Sequence, residues 1–526
     1  MSGLAFAPPR FAVDRAALVA RLRAVLPEDA LRVDEEALRP YECDGLTAYR
    51  QLPLLVTLPE NEAQARAILR VCHELGVPVV PRGAATGLSG GVLPHPDGVV
   101  VSLARLKNIL AIDPATRTAV VQPGVRNLAV SQAAAPYGLY YAPDPSSQIA
   151  CTIGGNIAEN SGGVHCLKYG LTVHNVLRVR GLTIAGEIVE FGCAAPDAPG
   201  YDLLAVANGS EGLLVLITEA TVRLTPKPEL AQVALASFDD VTRAGEAVAA
   251  IIAAGILPAG LEMMDKKATH AVEPFVNAGY DMDAEALLLC ESDGTPEEVA
   301  EEMARMQAVL AASGATAIRV SQNEAERLKF WAGRKAAFPA VGRITPDYLC
   351  MDGTIPRHSV GRMLQAIADM ERRYGLRCAN VFHAGDGNLH PLIMYDANQP
   401  GELERAQAFG AEILELSVEF GGTITGEHGV GVEKVTQMCA QFTPDELALF
   451  ERLKRAFDPA GLLNPGKAIP TPARCREYRL ARLATAGERG TPCCAPAADD
   501  ATHDVWGDPA DGASAPGDAT KTEGSR

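Results

Sequence analysis

Pro81-Arg82-Gly83-Ala84-Ala85-Thr86-Gly87-Leu88-Ser89-Gly90-Gly91 is the stretch from which the fold is read. It holds four glycines in eleven residues, so the backbone is free to take positive φ and to approach a ligand closely. Val77-Pro78-Val79-Val80 before it and Gly98-Val99-Val100-Val101-Ser102-Leu103 after it read as short buried strands. A glycine-rich loop between strands turns several amide N–H groups toward one point, as a bound phosphate requires. Arg82, Thr86 and Ser89 offer side-chain donors beside them. The spacing is neither G-x-G-x-x-G nor G-x-x-x-x-G-K-[ST], so those two phosphate-binding fingerprints do not apply.

Two more loops of small residues follow. Asp144-Pro145-Ser146-Ser147 precedes Thr152-Ile153-Gly154-Gly155-Asn156-Ile157-Ala158-Glu159-Asn160-Ser161-Gly162-Gly163, and Asn208-Gly209-Ser210-Glu211-Gly212 comes later. Three such loops suit a long ligand threaded along the backbone, a dinucleotide rather than a single phosphate. Together they resemble the FAD-binding domain of the vanillyl-alcohol oxidase type, over residues 54–226. The resemblance assigns FAD contacts to Pro81, Arg82, Gly83, Ala84, Thr86, Gly87, Leu88, Ser89 and Gly90 in the first loop. In the second it assigns Pro145, Ser146, Thr152, Gly154, Gly155, Asn156, Ala158, Asn160 and Gly162. Gly212, Ile217 and, from the second half of the chain, Asn388 complete the set. Several oxidases of this fold attach their flavin through a histidine in the first loop. Gly83-Ala84-Ala85-Thr86 has none, which implies a non-covalent FAD.

The 526 residues allow two or three domains, and 48% hydrophobic with 21% charged residues describes an ordinary soluble globular protein. A net charge of −18 argues against nucleic acid or an anionic membrane as the main partner. No apolar run approaches membrane-spanning length, and residues 1–20 have no apolar signal core, so a cytoplasmic protein is expected. The 12 cysteines are scattered, with no C-x-x-C and no zinc or iron–sulfur spacing. They are expected to be reduced and mostly buried.

Taken in order, residues 1–50 form a lead-in with a helix over 14–25 that packs on a later domain. Residues 51–228 are the FAD-binding domain. It opens with a strand at 54–56, a helix over 61–75 and the strand before the first loop, and hairpins follow at 109–122 and around Gly186. Thr225-Pro226-Lys227-Pro228 closes it, since paired prolines stop strand and helix alike. Residues 229–470 form the substrate, or cap, domain. Strands at 233–237, 286–290 and 316–320 alternate with helices over 239–254 and 296–312, a ferredoxin-like α+β pattern. A helix over 324–338 carries Trp331, Arg334 and Lys335, and a C-terminal helix covers 444–457. Residues 475–526 make an acidic tail too poor in apolar side chains to offset its ordering entropy, with disorder expected from 485 onward. The fold class expected is α+β, a two-part FAD-binding domain with a ferredoxin-like cap and a C-terminal helical segment.

Val381-Phe382-His383-Ala384-Gly385-Asp386-Gly387-Asn388-Leu389-His390 is the sharpest chemical motif. Asp386-Gly387 is a strong two-residue hairpin turn. It would pair Gly385 with Asn388 and His383 with His390, setting the imidazoles opposite each other with Cβ atoms about 5 Å apart, within reach of one metal ion. Gly421-Gly422-Thr423-Ile424-Thr425-Gly426-Glu427-His428-Gly429-Val430-Gly431 sets five glycines around one Glu-His pair. Glu427 is the expected third ligand. Two histidines and a carboxylate leave coordination positions open for substrate oxygens, and Zn²⁺ or Mn²⁺ suits them, with Fe²⁺ also open. His428 is left to act as a base near its favoured pKa.

These motifs, with Trp331 to Arg343, Asp352-Gly353-Thr354-Ile355-Pro356 and Phe457-Asp458-Pro459-Ala460-Gly461-Leu462-Leu463-Asn464-Pro465-Gly466-Lys467, resemble the FAD-linked D-2-hydroxy-acid dehydrogenases. Flavin subunits of bacterial glycolate oxidases are members of that family, and the resemblance spans residues 54–469. It implies His383, His390 and Glu427 as metal ligands, His428 as the base that takes the hydroxyl proton, and Arg334 as the clamp on the substrate carboxylate. Relatives acting on dicarboxylates carry a lysine near Cys350; Leu349-Cys350-Met351 fits a small monocarboxylate. The implied reaction is glycolate to glyoxylate, with D-lactate the close alternative. The implied partners are a second FAD-type subunit and an iron–sulfur subunit, in a hetero-oligomer held at the inner face of the cytoplasmic membrane by those partners, without membrane insertion by this chain. A rival from another class is a metallohydrolase whose Zn²⁺ on His383, His390 and Glu427 activates water; it leaves the first half of the chain without a task.

Overall fold

In the computed structural model, which describes residues 8–195 and 200–489, the glycine-rich stretch leaves a four-stranded sheet. Its order is Leu31–Arg32, Leu55–Thr57, Val99–Ser102, Val79–Arg82, the last three strands parallel. Parallel neighbours need a crossover, and helix Glu62–Glu74 supplies it, capped by Asn61, whose side chain accepts from Gln64 N. Ala65, Ile68, Leu69 and Cys72 are buried with Leu18 and Leu22 of helix Arg15–Arg23. The lead-in thus packs on this layer, and through Leu31–Arg32, antiparallel to Leu55–Thr57, it extends the sheet as well.

Both expected hairpins fall in a second sheet, five antiparallel strands in the order Ile109–Asp113, Thr118–Val121, Leu216–Arg223, Val176–Leu182, Ile188–Gly192. Beyond Pro226 a seven-stranded antiparallel sheet begins. Its order is Ala317–Val320, Leu230–Phe238, Ala286–Gly294, Gly260–Asp265, Arg377–His383, Asn388–Tyr395, Asp347–Cys350. The first four, with helices Val241–Ala253 and Pro296–Ala312 as crossovers, reproduce the ferredoxin-like pattern. The hairpin bearing the histidines then joins at Gly260–Asp265, with Met263 opposite Phe382.

Two features of this layer aim side chains. Gly260 pairs with Glu291 and Glu262 with Leu289, so Glu262 and Glu291 project from the same sheet face. Helix Glu324–Lys335, capped by Asn323, presents Arg327, Trp331 and Arg334 at i, i+4 and i+7, one helical face.

Two expectations are corrected. Cys439 and Cys475 form a disulfide with Cα atoms 5.2 Å apart; a pair 36 residues apart leaves no spacing signature to read. Disorder from 485 onward does not hold as far as Arg489, because Pro472–Arg489 is a helix, built largely of the strong helix formers Ala, Arg and Leu. The remaining tail, 490–526, lies outside the described residues. The chain divides into units Met1–Arg476 and Glu477–Arg526, and everything below concerns the first. Among the described residues no helix is long and apolar enough to cross a membrane.

Candidate active site

A cavity opens among the three small-residue loops. Of the residues expected to hold the cofactor, Pro81, Arg82, Gly83, Thr152, Gly154, Gly155, Ala158, Gly212 and Ile217 line it. Val92, Leu103, Pro123, Glu159, Ser210, Glu211 and Val215 also line it and were not anticipated. Thr152 Oγ1 is buried there without a hydrogen-bond partner, a donor waiting for an acceptor. The glycine-lined wall and this open hydroxyl fit the backbone-threaded dinucleotide expected there. No histidine, cysteine or tyrosine lines the cavity.

Other expected cofactor residues have different surroundings. Arg82, besides lining the cavity, donates from its guanidinium to the carbonyls of Pro40, Tyr41 and Cys43 and lies over the Tyr41 ring. It ties the lead-in to the loop. Ser89 Oγ likewise donates to His428 O at 3.0 Å. Asn156 Nδ2 donates to Ser161 Oγ, and Asn160 Oδ1 accepts from Val173 N, so both brace the second loop. Ala84, Thr86, Gly87, Leu88, Gly90, Pro145 and Ser146 are outside the cavity lining. Gly162 lies against Glu427, where a Cβ would come 2.6 Å from Oε2; only glycine lets the loop pass so close.

The histidine hairpin differs in register from the expectation. His383 pairs with Asn388 and Val381 with His390, so the turn spans Ala384–Gly387, with Gly387 at φ +81° donating its N–H to His383 O. The shift moves the pairing by two residues along one strand, and an even shift keeps side chains on their face. His383 and His390 are therefore diagonal rather than opposite, yet still neighbours, with ring centroids 5.0 Å apart.

Both rings converge on Glu427. Its Oε1 is 3.2 Å from His383 Nε2 and 2.9 Å from His390 Nε2. The outer nitrogens face acceptors: His383 Nδ1 lies 2.8 Å from Glu262 Oε1 and His390 Nδ1 3.3 Å from Met351 O. With Nδ1 as the donor in each ring, both Nε2 lone pairs point at one carboxylate. That arrangement calls for a positive charge among the three atoms, a proton or a metal ion. The donor set suits a divalent ion.

Asp352 holds the Glu427 loop in place. It is fully buried, accepts from Gly426 N, Glu427 N, His428 N and Thr425 Oγ1, and pairs with Lys434 Nζ at 3.0 Å. Burial opposes its charge, but Lys434 and the neighbouring histidines outweigh this and hold it well below the usual carboxylate range. His428 stacks on His390 with centroids 4.9 Å apart. Burial pushes its pKa down to about 4, so at neutral pH it is uncharged, and its buried Nδ1 has no partner. Arg334, 2% exposed, donates through Nε to Glu262 Oε2 at 2.6 Å while its Nη2 is buried and unpartnered. Thr354 Oγ1 and Asn388 Oδ1 are also open, both against Gly426.

Glu211 links the cavity to the loop that carries Glu427 and His428. Part of the cavity lining, it accepts from Val430 N and Gly431 N at 2.7 Å each, just beyond His428. Sequence reasoning missed Glu262, Asp352, Lys434 and Glu211 as functional neighbours. The signal for Glu262 was present, an acid within the apolar run Gly260-Leu261-Glu262-Met263-Met264.

Residues 53–192 match the family described as FAD binding domain, and 227–468 match FAD linked oxidases, C-terminal domain. The glycolate oxidase subunit GlcD of Escherichia coli is 61% identical over 467 residues, covering 89% of this chain and 93% of that protein. A D-lactate dehydrogenase of Anaerostipes hadrus is 30% identical over 460 residues, covering 86% and 96%. Among solved structures, 4-ethylphenol oxidase from Gulosibacter chungangensis superposes with a TM-score of 0.75 at 16% identity, covering 89% and 99%, a likeness of fold alone. With an FAD-binding domain of this fold joined to the oxidase C-terminal domain, the chain belongs to the FAD-linked oxidase family of the glycolate oxidase subunits.

Proposed function

We propose that the chain oxidises glycolate to glyoxylate. The observation that carries this reading is the open Nη2 of Arg334, a buried cationic donor tied through Glu262 to His383 in the cluster with His390, Glu427 and His428, which Glu211 links to the FAD cavity. Lys434, the other buried cation nearby, spends its ammonium on Asp352, Thr425 Oγ1 and Gly429 O. A substrate with a single carboxylate therefore fits. Identity of 61% to a glycolate oxidase subunit, against 30% to a D-lactate dehydrogenase, favours glycolate.

Arg334 pairs with the carboxylate and fixes the substrate's orientation. His428, neutral at physiological pH, takes the hydroxyl proton at its open Nδ1. His383 Nε2, His390 Nε2 and Glu427 Oε1 would hold a divalent ion, zinc or manganese, which supplies an electrophile for substrate oxygens. FAD, when bound, supplies the acceptor for the hydride equivalent lost from the α-carbon. It is held without a covalent link, a reading supported by Gly83-Ala84-Ala85-Thr86, which carries no histidine.

Electrons then pass to a second FAD-type subunit and an iron–sulfur subunit, in a complex at the inner face of the cytoplasmic membrane. The relation to a protein named as a subunit supports this arrangement. Anaerobic rapid mixing tests the reading: glycolate bleaches the flavin once, and sustained turnover of the isolated chain requires an artificial dye. Faster bleaching by D-lactate than by glycolate would replace the substrate. Rapid glycolate-dependent oxygen uptake would remove the need for partners.

A further inference from the structure

Glu262 is a buried carboxylate with two partners, each central to the site. Its Oε1 lies 2.8 Å from His383 Nδ1 and its Oε2 2.6 Å from Arg334 Nε. Glu262 is 1% exposed and Arg334 2%, so water satisfies neither end of the bridge. Its place in the sheet explains the reach: Gly260–Asp265 is hydrogen-bonded to the histidine strand on one side, and helix Glu324–Lys335 brings Arg334 to the same carboxylate. A carboxylate only accepts hydrogen bonds. It therefore requires a proton on His383 Nδ1, which leaves the Nε2 lone pair toward His390 and Glu427. By taking Arg334 through Nε alone, it also leaves Nη2 free.

We infer that Glu262 is the positioning residue of this site, setting the His383 tautomer for metal binding and the Arg334 fork for the substrate carboxylate through one side chain. The inference rests on the metal and substrate reading above and assigns Glu262 no contact with either ligand. Glutamine tests it with little change of shape. Its amide has one acceptor and one donor end, so it serves one partner and confronts the other with an N–H. Arg334, always charged, keeps the acceptor end. His383 then meets the NH₂ group, accepts at Nδ1 and carries its proton on Nε2, the wrong tautomer for a metal ligand.

The experiment uses FAD-loaded protein stripped of metal with a chelator, titrated separately with Zn²⁺ and Mn²⁺, with glycolate kinetics measured in parallel. In Glu262→Gln the ion binds about 10–100-fold more weakly, the usual effect of losing such a partner behind a ligand, while FAD content stays at the wild-type level. KM for glycolate rises less than the metal affinity falls. Glu262→Asp keeps the charge but is too short to span both partners, and it too binds the ion more weakly; it decides the matter if Glu262→Gln fails to accumulate with FAD. Wild-type metal affinity and wild-type KM in a folded, FAD-loaded variant would overturn the inference. If the wild-type protein itself binds neither ion, the metal reading fails separately. KM then judges Glu262 through Arg334 alone: an increase with kcat retained supports the positioning role, and no change removes it.

Discussion

Two histidines in this molecule have almost the same wiring. His165 sits between Asp144, 2.7 Å from Nδ1, and Glu291, 3.1 Å from Nε2, and Arg327 holds the far oxygen of Glu291. His383 sits between Glu262, 2.8 Å from Nδ1, and Glu427, 3.2 Å from Nε2, and Arg334 holds the far oxygen of Glu262. Both arginines come from one face of helix Glu324–Lys335, and both strand carboxylates come from one face of the same sheet. They differ in what is left over. Around His165 the remaining capacity is filled: Trp331 Nε1 donates to Glu291, and the neighbouring Asp293 takes Lys168 and the Tyr169 hydroxyl. Around His383 a second imidazole shares Glu427, and Arg334 Nη2, His428 Nδ1, Thr354 Oγ1 and Asn388 Oδ1 have no partner. Buried polar atoms are almost always hydrogen-bonded, so the satisfied cluster reads as a clamp joining the FAD-binding layer to the cap sheet. The unsatisfied one reads as a place made for a ligand.

The largest expected effect breaks the open cluster. His428→Ala slows flavin reduction by glycolate about 10²–10⁴-fold, the range for a lost base, with FAD still bound; unchanged bleaching in rapid mixing would remove His428 from the reaction. Next, Arg334→Gln raises the glycolate KM roughly 10–100-fold, as expected for a charged hydrogen bond lost to a carboxylate. Steady-state kinetics with a dye acceptor reads it, and a KM within twofold of wild type would return Arg334 to a purely structural role.

The clamp sharpens the comparison from the other side. His165→Ala strands acceptors on the half-buried Asp144 and the buried Glu291, at a cost of about 1–3 kcal/mol in stability, while single-turnover flavin bleaching stays near the wild-type rate. Chemical denaturation and rapid mixing on one preparation check both halves. A large loss of bleaching rate with stability intact would mean that the two clusters have been assigned the wrong way round.

The smallest effect is a pH dependence. Burial pulls the His165 pKa down, but Asp144 and Glu291 outweigh it and raise it well above the ordinary imidazole value. A raised folded pKa contributes stability that is fully present below the unfolded value of about 6.5 and is lost as pH rises through the folded value. The Tm advantage of wild type over His165→Gln should therefore be widest in mild acid and shrink as the pH turns alkaline. An advantage that grows with pH would contradict the charged clamp.

Much of this was legible in the chain. The glycine loops, the crossover helix, the hairpins, the ferredoxin-like alternation and the candidates His383, His390, Glu427 and His428 announce themselves locally, through backbone freedom, periodicity and spacing, while Arg334 entered through the family resemblance. Arg82 illustrates the limit. A guanidinium beside a phosphate-type loop reads as a phosphate donor, and nothing local announces that it also holds the carbonyls of Pro40, Tyr41 and Cys43, some forty residues earlier. The hairpin register went the same way: Asp386-Gly387 favours a tight turn, but the strand pairing places it within a longer one.

The sequence by itself determined which side chains are the candidates for the chemistry and which face of the hairpin bears them, because strand alternation has a period of two and survives an even shift in register. The tertiary structure alone decided which of them remain unsatisfied. Glu262 and Glu291 look alike in the sequence, each an acid in an apolar strand, and Arg334 and Arg327 look alike on their helix. Hydrogen-bond satisfaction is a property of atoms brought together from distant parts of the chain, so only the folded molecule separates the filled clamp at His165 from the open centre at His383.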